Sequence, residues 1–151
     1  MTRRMWAAAV SSAFMLTGSP AEAAKCTIVT TAVAFGSYNV FSAAPVDSTG
    51  SVRFNCNGGA SNVHITVSRG QSTTYAQRTL RRASESLGYN LFLDAGRSTI
   101  WGDGTGGSQS YFGGNPPNNQ DVTVTMYGRV PAGQDISAGA YSDSVSVTIN
   151  F

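Results

Sequence analysis

The chain has 151 residues, a formal net charge of +2 at pH 7, and only 12% charged residues. That share is about half of the roughly 25% found in typical soluble domains, so the sequence predicts a surface of uncharged polar side chains. No basic stripe is present that could neutralise a phosphate backbone, and we therefore expect no nucleic-acid ligand.

The first residues predict an exported protein. Arg3 and Arg4 precede a short apolar run, and Ala21-Glu22-Ala23 is typical of a signal-peptide cleavage site. The apolar run is shorter than the roughly 20 residues of a membrane-spanning helix, so we expect no membrane span. The chain is therefore divided into a signal peptide over residues 1–23 and one mature domain over residues 24–151.

The two cysteines of the chain, Cys26 and Cys56, predict a disulfide, because an exported protein meets an oxidising compartment. In the chain-entropy picture such a bond stabilises the fold by about 3–4 kcal/mol. A zinc site would need further ligands and a catalytic thiol would need a partner base. Neither is visible, and we expect no metal and no cofactor.

Apolar residues recur at every second position in six short segments, the pattern of strands with one buried face. These segments cover residues 29–35, 52–56, 63–67, 87–93, 122–126 and 145–151. Combinations of Gly, Asn, Asp and Pro that favour turns separate them. No helix-length stretch has a 3.6-residue apolar period. The sequence therefore predicts an all-β, antiparallel sandwich.

A connection rich in glycine and asparagine spans residues 98–120 and carries Trp101, Tyr111 and Phe112. Connections this long are usually functional or mobile. The aromatic side chains could lie exposed and bind sugars or apolar surfaces. Alternatively, they close one end of the sandwich core. We favour the second interpretation, with Trp101 as the best core candidate.

Groups that could support catalysis are few. His64 is the only histidine and lies in a strand pattern, where we expect it to face solvent. No Gly-x-Ser-x-Gly motif is present, and a catalytic triad would have to be built around His64 alone. We therefore expect the protein not to be an enzyme.

Two sets of charged residues could bind a partner, but each has a simpler interpretation. Calcium could bind if Asp94, Asp103, Asp121 and Asp143 converged, although Asp103-Gly104-Thr105 is more typical of a turn. The cluster of Arg78, Arg81 and Arg82, partly offset by Glu85, predicts a solvated face or loop.

The final segment is an alternating strand after which the given sequence ends. An uncovered edge of this kind pairs readily with another chain. We predict that a strand from a partner protein pairs here, at an interface formed by Tyr141, Val145, Val147, Ile149 and Phe151.

Several segments together resemble the spore coat protein U domain family, which includes secreted coat proteins and subunits of archaic chaperone–usher pili. They begin with Cys26, Val-Ala-Phe-Gly-Ser-Tyr over 33–38, and Gly-Ser-Val-Arg-Phe-Asn-Cys over 50–56. They continue with Leu-Gly-Tyr-Asn-Leu-Phe-Leu-Asp over 87–94, Trp-Gly-Asp-Gly-Thr over 101–105, Tyr-Gly-Arg-Val-Pro-Ala-Gly-Gln over 127–134, and the run from 139 to 151. The resemblance covers the mature domain in order.

The resemblance implies an immunoglobulin-like sandwich that lacks its last strand. It further implies that a periplasmic chaperone covers the gap, that an outer-membrane usher assembles the subunits, and that a donor strand from another subunit fills the gap. The protein would pass through the periplasm to the cell surface.

Only Ala24 and Lys25 precede Cys26 in the predicted mature chain, whereas strand-donating subunits carry an alternating extension there. We therefore expect this chain to accept a strand but not to donate one. Two alternatives remain open: a secreted coat protein that self-associates, and a carbohydrate-binding module that uses the 98–120 loop.

Overall fold

The structure, a computed structural model, describes residues 23–151, so the predicted signal peptide lies outside the described residues except for Ala23. The regular elements of this part are eight strands: β1 Lys25–Thr31, β2 Val46–Asn57, β3 Val63–Val67, β4 Arg78–Arg82, β5 Glu85–Phe92, β6 Tyr111–Gly114, β7 Asp121–Val130 and β8 Val147–Asn150. Over residues 23–151 the structure contains no helix that is long and apolar enough to cross a membrane.

The strands form two antiparallel sheets that pack as an immunoglobulin-like sandwich. One sheet has the order β1-β2-β7-β5-β4 and the other has the order β6-β3-β8. Their inner faces meet in one core, to which β2 contributes Val52 and Phe54 and β3 contributes Val63, Ile65 and Val67. The predicted fold class is confirmed.

The Cys26–Cys56 disulfide is present and determines which face of β1 is buried. The two cysteines lie directly opposite each other in the β1–β2 pairing. Since Cys56 points into the core, Cys26 and Ile28 point inward as well, and period two leaves Val29 outward and 57% exposed. The expectation that Val29 lies on the buried face is therefore wrong. β1 also ends at Thr31, so the apolar residues at 33 and 35 follow it as an irregular segment.

The long connection over residues 98–120 is more ordered than the sequence suggests. β6 lies within it and pairs with β3. Trp101 is fully buried and donates from its indole Nε1 to the carbonyl of Ile65 at 2.9 Å. Trp101 is therefore a core residue, as the favoured interpretation predicts, while Phe112 remains 62% exposed.

Arg78 corrects the prediction of a solvated arginine cluster, because its side chain is fully buried. Its guanidinium donates to Asn90 Oδ1 at 2.6 Å and to the carbonyls of Trp101 at 2.6 Å and Ser68 at 3.0 Å. A buried charge is tolerated when its donors are satisfied in this way. Arg82 is exposed and pairs with Glu85 at 3.0 Å, as expected.

Candidate functional site

An open groove runs along the sandwich between two irregular segments of the chain. One side is the segment after β1, residues 32–40, which we call the N-terminal wall. The other side is the segment before β8, residues 136–144, which we call the C-terminal wall. The groove consists of a larger cavity of about 760 Å³ and a smaller one of about 260 Å³. The two are adjoining, since both are lined by Val33, Phe35, Leu80 and Asp143.

The floor of the groove is the hydrophobic core itself. Leu87 and Val130 lie under the larger cavity, and Tyr89, Leu91 and Met126 lie under the smaller one. All five belong to the buried core of the domain. The sandwich is therefore open along this groove, and apolar side chains that would be covered in a closed sandwich border a cavity.

The N-terminal wall lies against the sheet where β7 has a glycine. A Cβ atom at Gly128 would lie 2.6 Å from Val33 Cγ1 and 2.8 Å from Phe35 Cζ, so only glycine leaves room for these two side chains. Phe35 also contacts the ring of Tyr89 edge-on, with 5.7 Å between ring centroids. Hydrogen bonds add to this packing: Ser48 Oγ donates to the carbonyl of Ala34 at 2.6 Å. Tyr38 Oη donates to the carbonyl of Pro131 at 3.1 Å and accepts from the amide of Gln134 at 2.8 Å.

The C-terminal wall is placed mainly by hydrogen bonds to the β4–β5 hairpin. Arg81 and Ser142 exchange two backbone bonds, of 2.8 and 3.1 Å. Just before the wall, the side chain of Gln134 bonds both the amide and the carbonyl of Gly88, at 2.6 and 2.9 Å. This wall leads directly into β8.

Among the described residues, β8 pairs with a strand on one side only, where it lies against β3. Val147 and Ile149 of β8 are half-buried and pack against the core. The opposite edge of β8 lies on the side of the groove, since Val145 and Val147 line the smaller cavity. A free strand edge beside an apolar cavity can accept a further strand.

The structure brings together some of the residues predicted for this interface. Tyr141 lines the larger cavity, and Val145 and Val147 line the smaller one. Ile149 packs against the core without lining either cavity, and Phe151 follows β8 and is 52% exposed.

Sequence reasoning missed the N-terminal wall, Leu80 and Ile136, all of which line the groove. The alternating apolar residues at 33 and 35 were a visible signal, but their pattern was interpreted as a continuation of β1. Nothing local in the sequence indicates that the chain leaves the sheet after Thr31.

The groove contains little charge. Among residues 23–151, Asp143 is the only Asp, Glu, Lys, Arg or His that lines it. Its carboxylate accepts from Tyr89 Oη at 2.8 Å and from the amide of Gln71 at 3.0 Å. Burial, and then this hydrogen bond, raise the pKa of Tyr89, which therefore stays neutral. The groove is suited to binding apolar side chains, and the described part of the chain places no paired nucleophile and base in its lining.

The candidate calcium ligands do not converge. Asp94 caps a turn through the amides of Ser98 and Thr99, and Asp121 pairs with Arg53 at 3.1 Å. Asp103 accepts from the amide of Thr105 at 2.9 Å, which confirms the predicted turn. Within residues 23–151, no group of three or more His, Cys, Asp or Glu side chains is placed to hold a metal ion.

The remaining candidates lie elsewhere on the domain. His64 is half-buried, 3.3 Å from Ser110 Oγ through Nδ1, and its ring lies 4.8 Å from that of Phe112. Trp101 is in the core and cannot present its ring to a ligand. The three aromatic residues of the 98–120 connection therefore do not form a common surface.

The described residues thus form an all-β sandwich with an apolar groove beside an unpaired strand edge. A sequence profile of the Spore Coat Protein U domain matches residues 12–148. The chain therefore belongs to the spore coat protein U domain family.

Two individual comparisons agree with this assignment. The chain is 34% identical over 84 residues to Protein U of Myxococcus xanthus, a match that covers 54% of this chain and 45% of that protein. Its fold is similar to a crystal structure of the CsuC–CsuE chaperone–tip adhesion subunit pre-assembly complex from archaic chaperone–usher Csu pili of Acinetobacter baumannii. The TM-score is 0.59 at 21% identity, covering 85% of this chain and 40% of that chain. At this identity the likeness concerns the fold.

Proposed function

We propose that this chain is an exported structural or adhesive subunit of a surface fibre or coat, and that its groove accepts a β-strand from a partner protein. In the pilus form of the proposal, a periplasmic chaperone supplies the first strand, an outer-membrane usher assembles the subunits, and another subunit supplies the final strand. The observation that carries the proposal is the apolar groove along the free edge of β8.

The geometry of the groove matches the needs of an incoming strand. The edge of β8 offers backbone donors and acceptors. The smaller cavity beside it and the larger cavity that adjoins offer places for side chains that alternate along the strand. In strand addition the main-chain hydrogen bonds supply affinity and the side-chain pockets supply specificity. The partly buried side chains at the rim, such as Ile136, Tyr141 and Val145, still expose apolar surface, and covering them adds about 25 cal/mol for each Å² removed from water.

The predicted polarity of assembly, in which this chain accepts but does not donate a strand, is part of the proposal. Mass spectrometry of the mature N-terminus tests it directly. A mature chain that begins with an alternating apolar extension would contradict it.

The self-associating coat protein remains a second form of the same proposal, since one groove could accept a strand from another copy. Genes for a chaperone and an usher beside the gene for this chain would favour the pilus form. The carbohydrate-binding alternative has lost its main candidate, because Trp101 is buried.

The decisive experiment measures thermal unfolding of the mature protein with and without a strand-like peptide. The probe is a synthetic peptide of about ten residues that alternates Val or Ile with Thr or Ser, long enough for one strand. A ligand that binds only the folded state raises the melting temperature, with about 2.7 kcal/mol of stabilisation at a hundredfold excess over Kd. The control is a peptide of the same composition whose apolar residues are blocked together.

We expect only the alternating peptide to raise the melting temperature. Co-expression with a neighbouring chaperone, followed by pull-down, should then recover a complex. A stable monomer that is indifferent to every alternating peptide and to the chaperone would overturn the proposal.

A further inference from the structure

The C-terminal wall presents apolar side chains to the groove and polar attachments to the opposite side. Ile136 and the ring of Tyr141 line the larger cavity and pack against the edge of the core. Most hydrogen bonds of the wall run the other way, toward the β4–β5 hairpin and the loop before β4. The wall is thus held from behind.

Glu85, the first residue of β5, makes the most concentrated of these attachments. Its Oε1 accepts from Ser137 Oγ at 2.6 Å, and its Oε2 accepts from Tyr141 Oη at 2.7 Å. Arg82, at the end of β4, donates to the same Oε2 at 3.0 Å. One carboxylate therefore joins two residues of the wall to both strands of the hairpin.

Further contacts fasten the same wall. Asp143 accepts from the amide of Gln71, in the loop before β4, and from Tyr89 of β5, in the floor of the groove. The Arg82 side chain lies against Gly139, where an added Cβ atom would have to displace it. Together with the Arg81–Ser142 backbone bonds, these contacts fasten the wall along its length to the hairpin.

An apolar wall beside an unfilled apolar groove gains free energy by moving into the groove, because that removes apolar surface from water. Packing inside the groove does not oppose this movement, since a cavity lies there. The polar attachments behind the wall oppose it.

We propose that Glu85 is a positioning residue that holds the C-terminal wall away from the N-terminal wall, so that the groove is open before a partner strand arrives. The inference rests on the proposed function of the groove as a strand acceptor. Glu85 does not line the groove, but in this inference it keeps the groove open for binding. Without the carboxylate, only a fraction of molecules has an open groove, and the apparent affinity for a strand falls by that fraction.

The test compares three variants of the mature protein. Glu85→Ala removes the carboxylate, and Glu85→Gln keeps the size and one acceptor oxygen. Asp121→Ala is the matched control, since it removes an exposed carboxylate that pairs with Arg53 at a distance from the groove. Hydrogen exchange over residues 136–144 reports on the wall, and the binding kinetics of the alternating peptide report on the groove.

In Glu85→Ala we expect wall amides to exchange at least tenfold faster, because local opening is no longer resisted. The peptide should associate about three- to tenfold more slowly, while its dissociation changes less than about twofold, because the bound strand itself supports the wall. Glu85→Gln should lie between Glu85→Ala and the native protein. Asp121→Ala should match the native protein.

Unchanged wall exchange in Glu85→Ala would overturn the inference. If Asp121→Ala slowed peptide association as much as Glu85→Ala does, the inference would also be overturned, because the effect would then be one of surface charge. Hydrogen exchange at core amides of β2 and β7 shows whether each variant is folded. If Glu85→Ala does not fold, Glu85→Gln takes its place in the comparison. If no peptide binds even the native protein, the proposed function fails, while the exchange measurement still decides whether Glu85 holds the wall.

Discussion

Arg78 shows how a charged residue can belong to the core of a domain with few charges. Its guanidinium donates hydrogen bonds to the backbone carbonyls of Ser68 and Trp101, which a neighbouring strand would otherwise have to satisfy. It also donates to the side chain of Asn90. The ring of Tyr75 lies 5.3 Å from its central carbon. These contacts tie β3, β4, β5 and the segment around Trp101 together, and burial lowers the pKa of Arg78 without threatening its charge.

We expect Arg78→Lys to destabilise the domain by about 2–4 kcal/mol, because an ammonium cannot reach all of these acceptors and leaves buried oxygens unpaired. Chemical denaturation at pH 7 with the disulfide intact measures the loss. Arg81→Lys, an exposed change on the same strand, should stay within about 0.5 kcal/mol. Equal losses of stability in the two variants would show that the hydrogen bonds of Arg78 add no more to stability than an exposed arginine does.

At this scale the sequence predicts a residue well when its type and its environment agree. The buried valines of β3 and the cysteine pair are of that kind. Arg78 is not, because three neighbouring arginines favour a solvated face, and the carbonyls that satisfy Arg78 come from distant parts of the chain. The prediction that Trp101 is a core residue is confirmed, because a large aromatic side chain is buried more often than its loop context suggests.

Between elements, Glu85 links the β4–β5 hairpin to the C-terminal wall, and its titration should be visible in stability. Hydrogen bonds from Ser137 and Tyr141 lower the pKa of Glu85 to about 2. An unfolded chain has the ordinary value of about 4.3, so it binds more protons than the folded state between these two pH values. The link is therefore fully present above pH ~5 and is lost as the pH falls toward 2.

We expect the difference in melting temperature between the native protein and Glu85→Gln to be constant from pH ~7 to ~5 and to shrink steadily toward pH ~2. Other carboxylates titrate in the same range, but they are shared by both proteins and cancel in the difference. A difference that grows on acidification would contradict the assigned contacts.

The elements themselves were predictable where alternation was long and the register was constrained. β2, β3 and β7 follow their apolar pattern, since each packs one face on the core. β1 does not, because the disulfide determines its register and an apolar pattern alone allows either face. β4 and β6 carry no alternating apolar signal that could have revealed them, and they become strands by pairing with β5 and β3.

At the scale of the whole molecule, the groove is a consequence of how the two sheets end. β1 lies at the edge of one sheet and β8 at the edge of the other, and the two walls beside them do not close the sandwich. The sequence predicts a partner-binding role for the last strand, which is part of the proposed function. It could not indicate the second wall, because that wall depends on where residues 32–40 cross the sheet, next to Gly128.

An open groove and a free strand edge in one molecule predict concentration-dependent association of the mature protein, since each copy can offer an edge to another. Val145→Asp should suppress this association. The new carboxylate would line the smaller cavity, where an approaching strand would desolvate it, and Asp143 already places a negative charge in the same lining. Sedimentation velocity over a range of concentrations measures the change.

Val29→Asp is the matched control, because Val29 is an exposed valine on the outer face of β1 and away from both cavities. We expect Val145→Asp to remain monomeric and to lose the rise in melting temperature with the alternating peptide. Val29→Asp should associate and bind the peptide as the native protein does. If both variants associate like the native protein, the contacts between copies lie outside the groove. If Val145→Asp alone fails to associate and to bind the peptide, the surface proposed to accept a partner strand also drives the association of the unpartnered protein.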